Sequence, residues 1–97
     1  MKILPEPLLF EWDFGNIDKN YKKHKVVYQE AEEVFGNKPL TVSEDKAHSI
    51  LEKRYQALGK TNKERKLFLS FTIREDRIRI ISIRDMSKKE EKVYEKT

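Results

Sequence analysis

The fold is decided near the end of the chain, which reads Arg77-Ile78-Arg79-Ile80-Ile81-Ser82-Ile83-Arg84. The β-branched isoleucines favour an extended strand, and successive side chains of a strand point to opposite faces of its sheet. Strict alternation gives two sets: Arg77, Arg79, Ile81 and Ile83 on one face, and Ile78, Ile80, Ser82 and Arg84 on the other. Both faces then carry isoleucine and arginine. The pattern predicts a central strand beside an open cationic cleft, or a strand near an edge with solvated or paired arginines.

The segments before this strand predict an α+β fold. Residues 67–73 alternate apolar and polar side chains, and Glu75-Asp76 turns them back into the arginine strand as an antiparallel hairpin. The other predicted elements are an edge strand at 8–12, helices at 14–24 and 28–35, strands at 40–43 and 54–58, and a C-terminal helix after residue 87. The order β-α-α-β-β-β-β-α predicts an antiparallel sheet of about four strands plus the short N-terminal strand. Two helices pack on it.

Local signals mark the ends of these helices. Asp13 stands where an N-cap carboxylate accepts the free N–H groups of the first turn. Ser87 and Glu90 form a capping-box pattern before the last helix. In the first helix Ile17, Tyr21 and His24 fall at i, i+4 and i+7, so His24 is expected to point the same way as the packing residues. A glycine-containing loop over residues 59–66 is expected to join the third and fourth strands.

Length and composition restrict the class of protein. The chain has 97 residues and is expected to form one domain, with residues 1–9 as an N-terminal extension. It has no cysteine, which excludes disulfides and a thiolate nucleophile, and two histidines without cysteine favour neither a metal site nor a cofactor. Residues 1–10 lack the pattern of a signal peptide or membrane span, so we expect a cytoplasmic protein without membrane contact.

The distribution of charge indicates the partner. The net charge is +4, and basic residues gather in three segments, 19–25, 53–66 and 74–84. Each segment alone is typical of a solvated face. If the three converge in space, a polyanion such as nucleic acid is the natural partner.

An ordered set of short motifs runs through nearly the whole chain. It comprises Phe10-Glu11-Trp12-Asp13, Lys19-Asn20, Lys23-His24, Ala31, Glu33-Val34-Phe35, Asp45, His48-Ser49, Glu52-Lys53-Arg54, Arg77-Ile78-Arg79-Ile80-Ile81-Ser82, Arg84, Glu90 or Glu91, and Tyr94. This set resembles the BrnT family, the ribonuclease toxins of bacterial type II toxin–antitoxin systems. The resemblance implies a RelE-related fold and a toxin that cleaves RNA and slows translation and growth. It also implies a BrnA-like antitoxin with a ribbon-helix-helix DNA-binding domain, through which alone the toxin would meet DNA.

Three residues depart from the family pattern. Lys25 stands where glycine is usual, and a left-handed conformation there costs lysine about 1 kcal/mol more than glycine. Val27 replaces the usual serine cap of the second helix, and Ile83 the usual alanine before Arg84. None of these changes removes a proposed catalytic group.

Cleavage of RNA without a metal needs a proton acceptor, cations for the charge that grows on the phosphate, and a proton donor for the leaving 5′ oxygen. We predict that Arg54, Arg79 and Arg84 clamp the phosphate, since guanidinium suits bidentate contact. His24 or Lys23 is predicted to transfer protons.

Further residues are predicted to contact RNA: Lys19, Trp12, Tyr55, Arg77 and His48. Trp12 and Tyr55 could stack on bases, although a tryptophan at this spacing is also typical of a core. His48 lies in a connection, where it could instead hold the segment from Asp45 to Arg54. Two other classes of function stay open: a non-catalytic RNA- or ribosome-binding module, including an inactive toxin relative, and a protein that binds a partner segment at a strand edge or its last helix.

Overall fold

The computed structural model describes residues 3–97 and contains a five-stranded sheet with three α-helices. The elements, in chain order, are β1 (Phe10–Glu11), α1 (Phe14–His24), α2 (Tyr28–Gly36), β2 (Thr41–Glu44), a 3-10 turn (Lys46–His48), β3 (Arg54–Lys60), β4 (Lys66–Arg74), β5 (Arg77–Asp85) and α3 (Lys88–Tyr94). The predicted α+β class and element order are confirmed. Residues 1 and 2, part of the predicted extension, lie outside the described residues.

The strand order in the sheet is β1-β5-β4-β3-β2. Strands β2 to β5 are antiparallel neighbours, and the predicted hairpin of β4 and β5 is confirmed. Strand β1 lies at an edge, as predicted, but it pairs in parallel with β5. The sequence gives no βαβ signal for this pairing because β1 is only two residues long.

A β-bulge in β5 changes which residues share a face. Ser70 pairs with Ser82 and Phe71 with Ile80, so Ile81 has no counterpart on β4. An extra residue of this kind reverses the alternation beyond it. Ile83 therefore joins Ile78 and Ile80 in the core, while Ser82 and Arg84 turn to the other face, which corrects the division predicted from strict alternation.

The core lies between one face of the sheet and the two N-terminal helices. Its buried side chains are Val26, Ala31, Val34, Phe35, Ala57, Leu67, Leu69, Phe71, Ile78, Ile80 and Ile83. The ring of Phe35 makes edge contacts with Phe10 at 5.5 Å and Phe71 at 5.3 Å between centroids. Helix α2 approaches β3 so closely at Gly59 that an added Cβ would stand 2.6 Å from Val34 Cγ1. These contacts fix α2 on one face of the sheet, and α3 lies on the opposite face, beside Leu58 and Phe68.

Helix α1 runs beside β5 and has the bounds predicted from the sequence. The Asp13 carboxylate accepts hydrogen bonds from the N–H groups of Gly15 at 2.7 Å and Asn16 at 3.3 Å, as predicted. The buried Asn20 side chain accepts a hydrogen bond from the Ile83 N–H at 3.3 Å. Strand β1 is too short to reach this part of β5, so Asn20 takes the place of a strand partner for that N–H. Tyr21 was predicted to pack but is 50% exposed, because Asn20 occupies the inward position.

The β3–β4 connection is shorter than predicted. The strands extend to Lys60 and from Lys66, so the turn contains only five residues, 61–65. The buried Thr61 closes it, since its hydroxyl accepts the N–H groups of Lys63 and Arg65 at 3.2 and 3.1 Å. No helix within residues 3–97 has the length and apolar character that crossing a membrane requires.

Candidate functional site

Four arginines lie together at one end of the sheet face opposite α1 and α2. Arg54 of β3, Thr72 of β4 and Arg79 of β5 are in register across three adjacent strands, and Arg74 and Arg77 pair at the end of the hairpin. We call Arg54, Arg74, Arg77 and Arg79 the arginine face. With strands about 4.8 Å apart, the Cα atoms of Arg54 and Arg79 are separated by about 10 Å. The short, buried Thr72 lies between them and donates its hydroxyl to the Lys53 carbonyl at 2.8 Å.

The carboxylates near this face bind Arg74 and Arg79 directly, whereas Arg54 interacts with Glu52 only electrostatically and over a longer distance. Arg74 binds Glu52 through two bonds of 2.6 and 3.0 Å, and the Arg74 hydrogen bond lowers the pKa of Glu52. Arg79 makes loose ion pairs, at 3.7 Å to Glu11 and 3.5 Å to Asp13. The side chain of Arg54 makes no hydrogen bond or ion pair with any residue that the structure describes. Its guanidinium is available to a phosphate.

A cleft of about 620 Å³ opens beside Arg54. Its lining comprises Ala47, His48, Ile50, Leu51, Glu52, Arg54 and Arg74. His48, which the sequence placed in an isolated connection, therefore shares one cleft with Arg54. Ile50 is 87% exposed and Leu51 100% exposed, so this rim is apolar as well as cationic.

Asp45 fixes the orientation of His48. His48 Nδ1 lies 2.8 Å from Asp45 Oδ2, and the Gln56 side chain lies near the same carboxylate. Partial desolvation raises the pKa of Asp45, but the bonds from His48 and Gln56 outweigh it, and the net pKa is lowered. A hydrogen bond to an ionised Asp45 needs a proton on His48 Nδ1, and in the neutral ring Nε2 is then the nitrogen that can accept a proton.

Arg84 lies on the same face as Arg54 but at its other end. It is five residues from Arg79 along β5, about 16 Å for an extended strand. It binds Glu90 of α3 through two bonds of 2.8 and 2.9 Å, and its guanidinium stacks 4.2 Å from the Phe68 ring centroid. The bond to Glu90 raises the pKa of Arg84. The predicted three-arginine clamp is thus divided, and Arg84 connects α3 to the sheet.

The predicted proton-transfer residues Lys23 and His24 lie on α1, together with Lys19, which is predicted to contact RNA. Lys19 and Lys23 are exposed, and His24 is half-buried in the last turn. His24 acts electrostatically on Asp85 at the end of β5, so it lies toward the Arg84 end of the sheet. The structure shows no contact between these three side chains and Arg54 or Arg79 within residues 3–97.

Trp12 and Tyr55 lie on the core side of the sheet. Trp12 Nε1 donates to Glu32 at 2.7 Å, and its ring makes an edge contact with Tyr28 at 5.5 Å. Tyr55 stacks on Phe71 at 5.6 Å. Neither ring opens onto the arginine face. Of the predicted RNA-contacting residues, Arg77 and His48 are the two that do lie at this face or its cleft.

Sequence reasoning missed three side chains of this region. Glu52 and Arg74 line the cleft with Arg54, and Gln56 lies near Asp45. Gln56 lies two residues after Arg54 in the same strand, and side chains two residues apart point to the same face of a sheet. This spacing could have identified Gln56 from the sequence. The position of Arg74 depends on the β4–β5 register. No cluster of three or more His, Cys, Asp or Glu side chains suited to a metal ion occurs within the part of the chain that the structure describes.

The fold and this site define a class: a small α+β domain with an open cationic sheet face. The family model described as "Ribonuclease toxin, BrnT, of type II toxin-antitoxin system" matches residues 12–90. The chain therefore belongs to the BrnT family of ribonuclease toxins of type II toxin–antitoxin systems.

A solved structure supports the same fold. The crystal structure of the Brucella abortus ribonuclease toxin BrnT is similar with a TM-score of 0.63 and 21% identity, covering 84% of this chain and 99% of that one. No curated protein matches the sequence. At this identity the likeness shows the fold alone, and the assignment of individual site residues depends on the geometry described above.

Proposed function

We propose that this protein is a metal-independent endoribonuclease that cleaves RNA in the cleft beside the arginine face and thereby inhibits translation and growth. The observation that carries the proposal is the shared cleft of His48 and Arg54. A guanidinium without a partner and a histidine oriented by a carboxylate are two of the groups that cleavage of a phosphodiester needs.

The reaction follows from the position of these groups. The ribose 2′-hydroxyl attacks the adjacent phosphorus, and His48 Nε2 takes its proton, with Asp45 stabilising the imidazolium that forms. Arg54 and Arg79 bind the non-bridging oxygens on which negative charge grows. The P–O bond to the 5′ oxygen then breaks, leaving a 2′,3′-cyclic phosphate, and that oxygen takes a proton from solvent water, while the imidazolium of His48 returns its proton to solvent. His24 and Lys23 are the alternative proton-transfer groups predicted from the sequence.

We propose that a protein antitoxin of the BrnA type, with a ribbon-helix-helix DNA-binding domain, neutralises the toxin. The cytoplasm is the expected place of action because the substrate is RNA, and DNA contact is made by the antitoxin. The apolar rim at Ile50 and Leu51 and the unpaired Arg54 support an acidic and apolar antitoxin segment over this cleft.

The test is induced expression in bacteria without antitoxin, with growth and extracted RNA followed together. We expect arrest and RNA fragmentation for the wild type and neither for Arg54→Ala. In purified protein this change should reduce cleavage by about 100-fold, and EDTA should leave the wild-type rate unchanged. Lys63→Ala is the matched control, because it removes one positive charge from an exposed side chain in the β3–β4 turn.

A second pair of variants separates the two histidines. His48→Ala should reduce cleavage by about 100-fold or more, while His24→Ala should leave most of it. The opposite result would place the proton acceptor on α1. Unchanged thermal stability of His48→Ala distinguishes a catalytic role from support of the segment that follows Asp45.

The second candidate is a non-catalytic RNA- or ribosome-binding module. The position of His24, remote from Arg54 and Arg79, favours it, since this structure assembles only one histidine with the arginines. Growth arrest with intact RNA, and RNA affinity that falls steeply with salt, would establish it.

A further inference from the structure

A second pocket lies next to the proposed cleavage site, between α3 and the open face of the sheet. Its volume is about 460 Å³. Leu58, Phe68 and Val93 form apolar walls; the remaining lining residues are Thr41, Ser43, Gln56, Lys89 and Glu90. Its apolar interior has no part in the proposed phosphate chemistry.

The lining suits a nucleobase better than a phosphate. No arginine lines the pocket, and Lys89 at its rim is exposed. A nucleobase has two apolar faces and a polar edge, and single-stranded RNA is recognised by enclosing the faces and hydrogen-bonding the edge. Apolar walls in a pocket of this volume can enclose the faces of a base, and the few polar groups can hydrogen-bond its edge.

Gln56 is the group that can read the base edge. It lines the pocket and lies close enough to Asp45 to lower the pKa of that carboxyl, and its side-chain amide carries a carbonyl acceptor beside an N–H donor. An amide that presents an acceptor beside a donor is complementary to adenine, with its amino group and ring nitrogen. The hydroxyls of Thr41 and Ser43 make no hydrogen bonds with the residues that the structure describes, so they can support the same edge.

The pocket is continuous with the cleavage site. Arg54, Gln56 and Leu58 follow one another on the same face of β3, in steps of about 6.6 Å. Asp45 contacts both His48 and Gln56, so one carboxylate joins the proposed proton acceptor to the pocket. An RNA strand whose phosphate is bound to Arg54 therefore has a neighbouring base within reach of Gln56.

We propose that this pocket is a base-recognition subsite that takes an adenine next to the cleaved phosphate. The inference rests on the proposed function, because it names the base that the same site selects. Helix α3 supplies the Val93 wall, and the Arg84–Glu90 ion pair holds that wall in place.

Binding without cleavage gives the first test. Four 2′-deoxy trinucleotides that differ only in the central base are added to the full chain, and NMR signals of the Gln56 amide and Val93 methyl groups are followed. We expect the largest shifts with adenine, and Gln56→Leu should remove that preference. Equal shifts with all four bases, or shifts confined to the arginine face, would overturn the subsite.

Cleavage selectivity gives the second test. We expect Gln56→Leu to reduce the ratio of cleavage beside adenine to cleavage beside other bases by about tenfold, while Gln29→Leu on the exposed side of α2 leaves it unchanged. The ratio is the informative quantity, because loss of support for Asp45 would slow every site alike. An unchanged ratio in Gln56→Leu would contradict the inference.

The two tests separate failure of the subsite from failure of the proposed function. Adenine-selective shifts in a protein that cleaves no RNA would support the subsite and refute the ribonuclease. Cleavage without selective shifts, and with an unchanged ratio in Gln56→Leu, would support the ribonuclease and refute the subsite.

Discussion

Two arginines of this protein show opposite arrangements of the same side chain. Arg65 binds Asp85 at 2.7 and 3.1 Å, Glu30 at 3.3 Å, and the carbonyl oxygens of His24 and Lys25 at 3.1 and 3.0 Å. Arg54 makes no such bond with any residue between 3 and 97. The first arginine joins the end of α1, the start of α2 and the end of β5. The second makes no such bond, which leaves its guanidinium available for the phosphate contact that the proposed function assigns to it.

The largest effect should follow from removing Arg65. Arg65→Ala leaves two carboxylates and two carbonyls without their donor, and we expect the free energy of unfolding to fall by about 2 kcal/mol. Arg54→Ala should change it by less than about 0.5 kcal/mol. Urea denaturation of both variants measures the contrast. A similar loss in both would show that Arg54 is structural too, and the arginine face would lose its functional meaning.

Arg84 is an intermediate case, and it sharpens the comparison. It was predicted to clamp phosphate, yet Glu90 occupies its guanidinium and lies in the last helix. Because this ion pair is half-exposed, Arg84→Ala should cost about 1 kcal/mol and speed hydrogen exchange in α3. Glu90→Gln keeps an acceptor for the Ser87 N–H but removes the charge, so it tests the ion pair alone.

The two variants distinguish a role of Arg84 in holding α3 on the sheet from a role in binding phosphate. We expect Arg84→Ala and Glu90→Gln to reduce RNA cleavage by similar, modest factors, since both loosen α3. A much larger loss in Arg84→Ala, with Glu90→Gln as active as wild type, would restore Arg84 to the phosphate clamp.

The parts of the fold that sequence reasoning predicted are those set by neighbouring residues. Asp13 caps α1, the reciprocal bonds of Ser87 and Glu90 begin α3, and Lys25 has the left-handed conformation expected where the family has glycine. The bulge at Ile81 and the parallel pairing of β1 escaped prediction because they depend on strands distant in sequence.

The same limit applies to the site. Arg54 and Arg79 could be named from their residue type and strand positions, but their alignment across Thr72 needs the register of three strands. Arg65 was overlooked because its side-chain partners lie 20 to 41 positions away. The shared cleft of His48 and Arg54 likewise depends on how the β2–β3 connection folds back.

The smallest effect concerns Lys25, which has a strained backbone conformation and also accepts a hydrogen bond from Arg65. Its φ of 56° and ψ of 37° disfavour a lysine, and its carbonyl accepts the Arg65 bond at 3.0 Å. Lys25→Gly relieves about 1 kcal/mol of strain but makes the unfolded chain more flexible and removes the contact with the Tyr21 ring, so we expect a net gain of about 0.5 kcal/mol. Urea denaturation measures this gain in the wild type and in Arg65→Ala. If Arg65 holds Lys25 in the strained conformation, the gain should shrink in the Arg65→Ala background, because Lys25 can then relax. An equal gain in both would show that the end of α1 alone fixes that conformation.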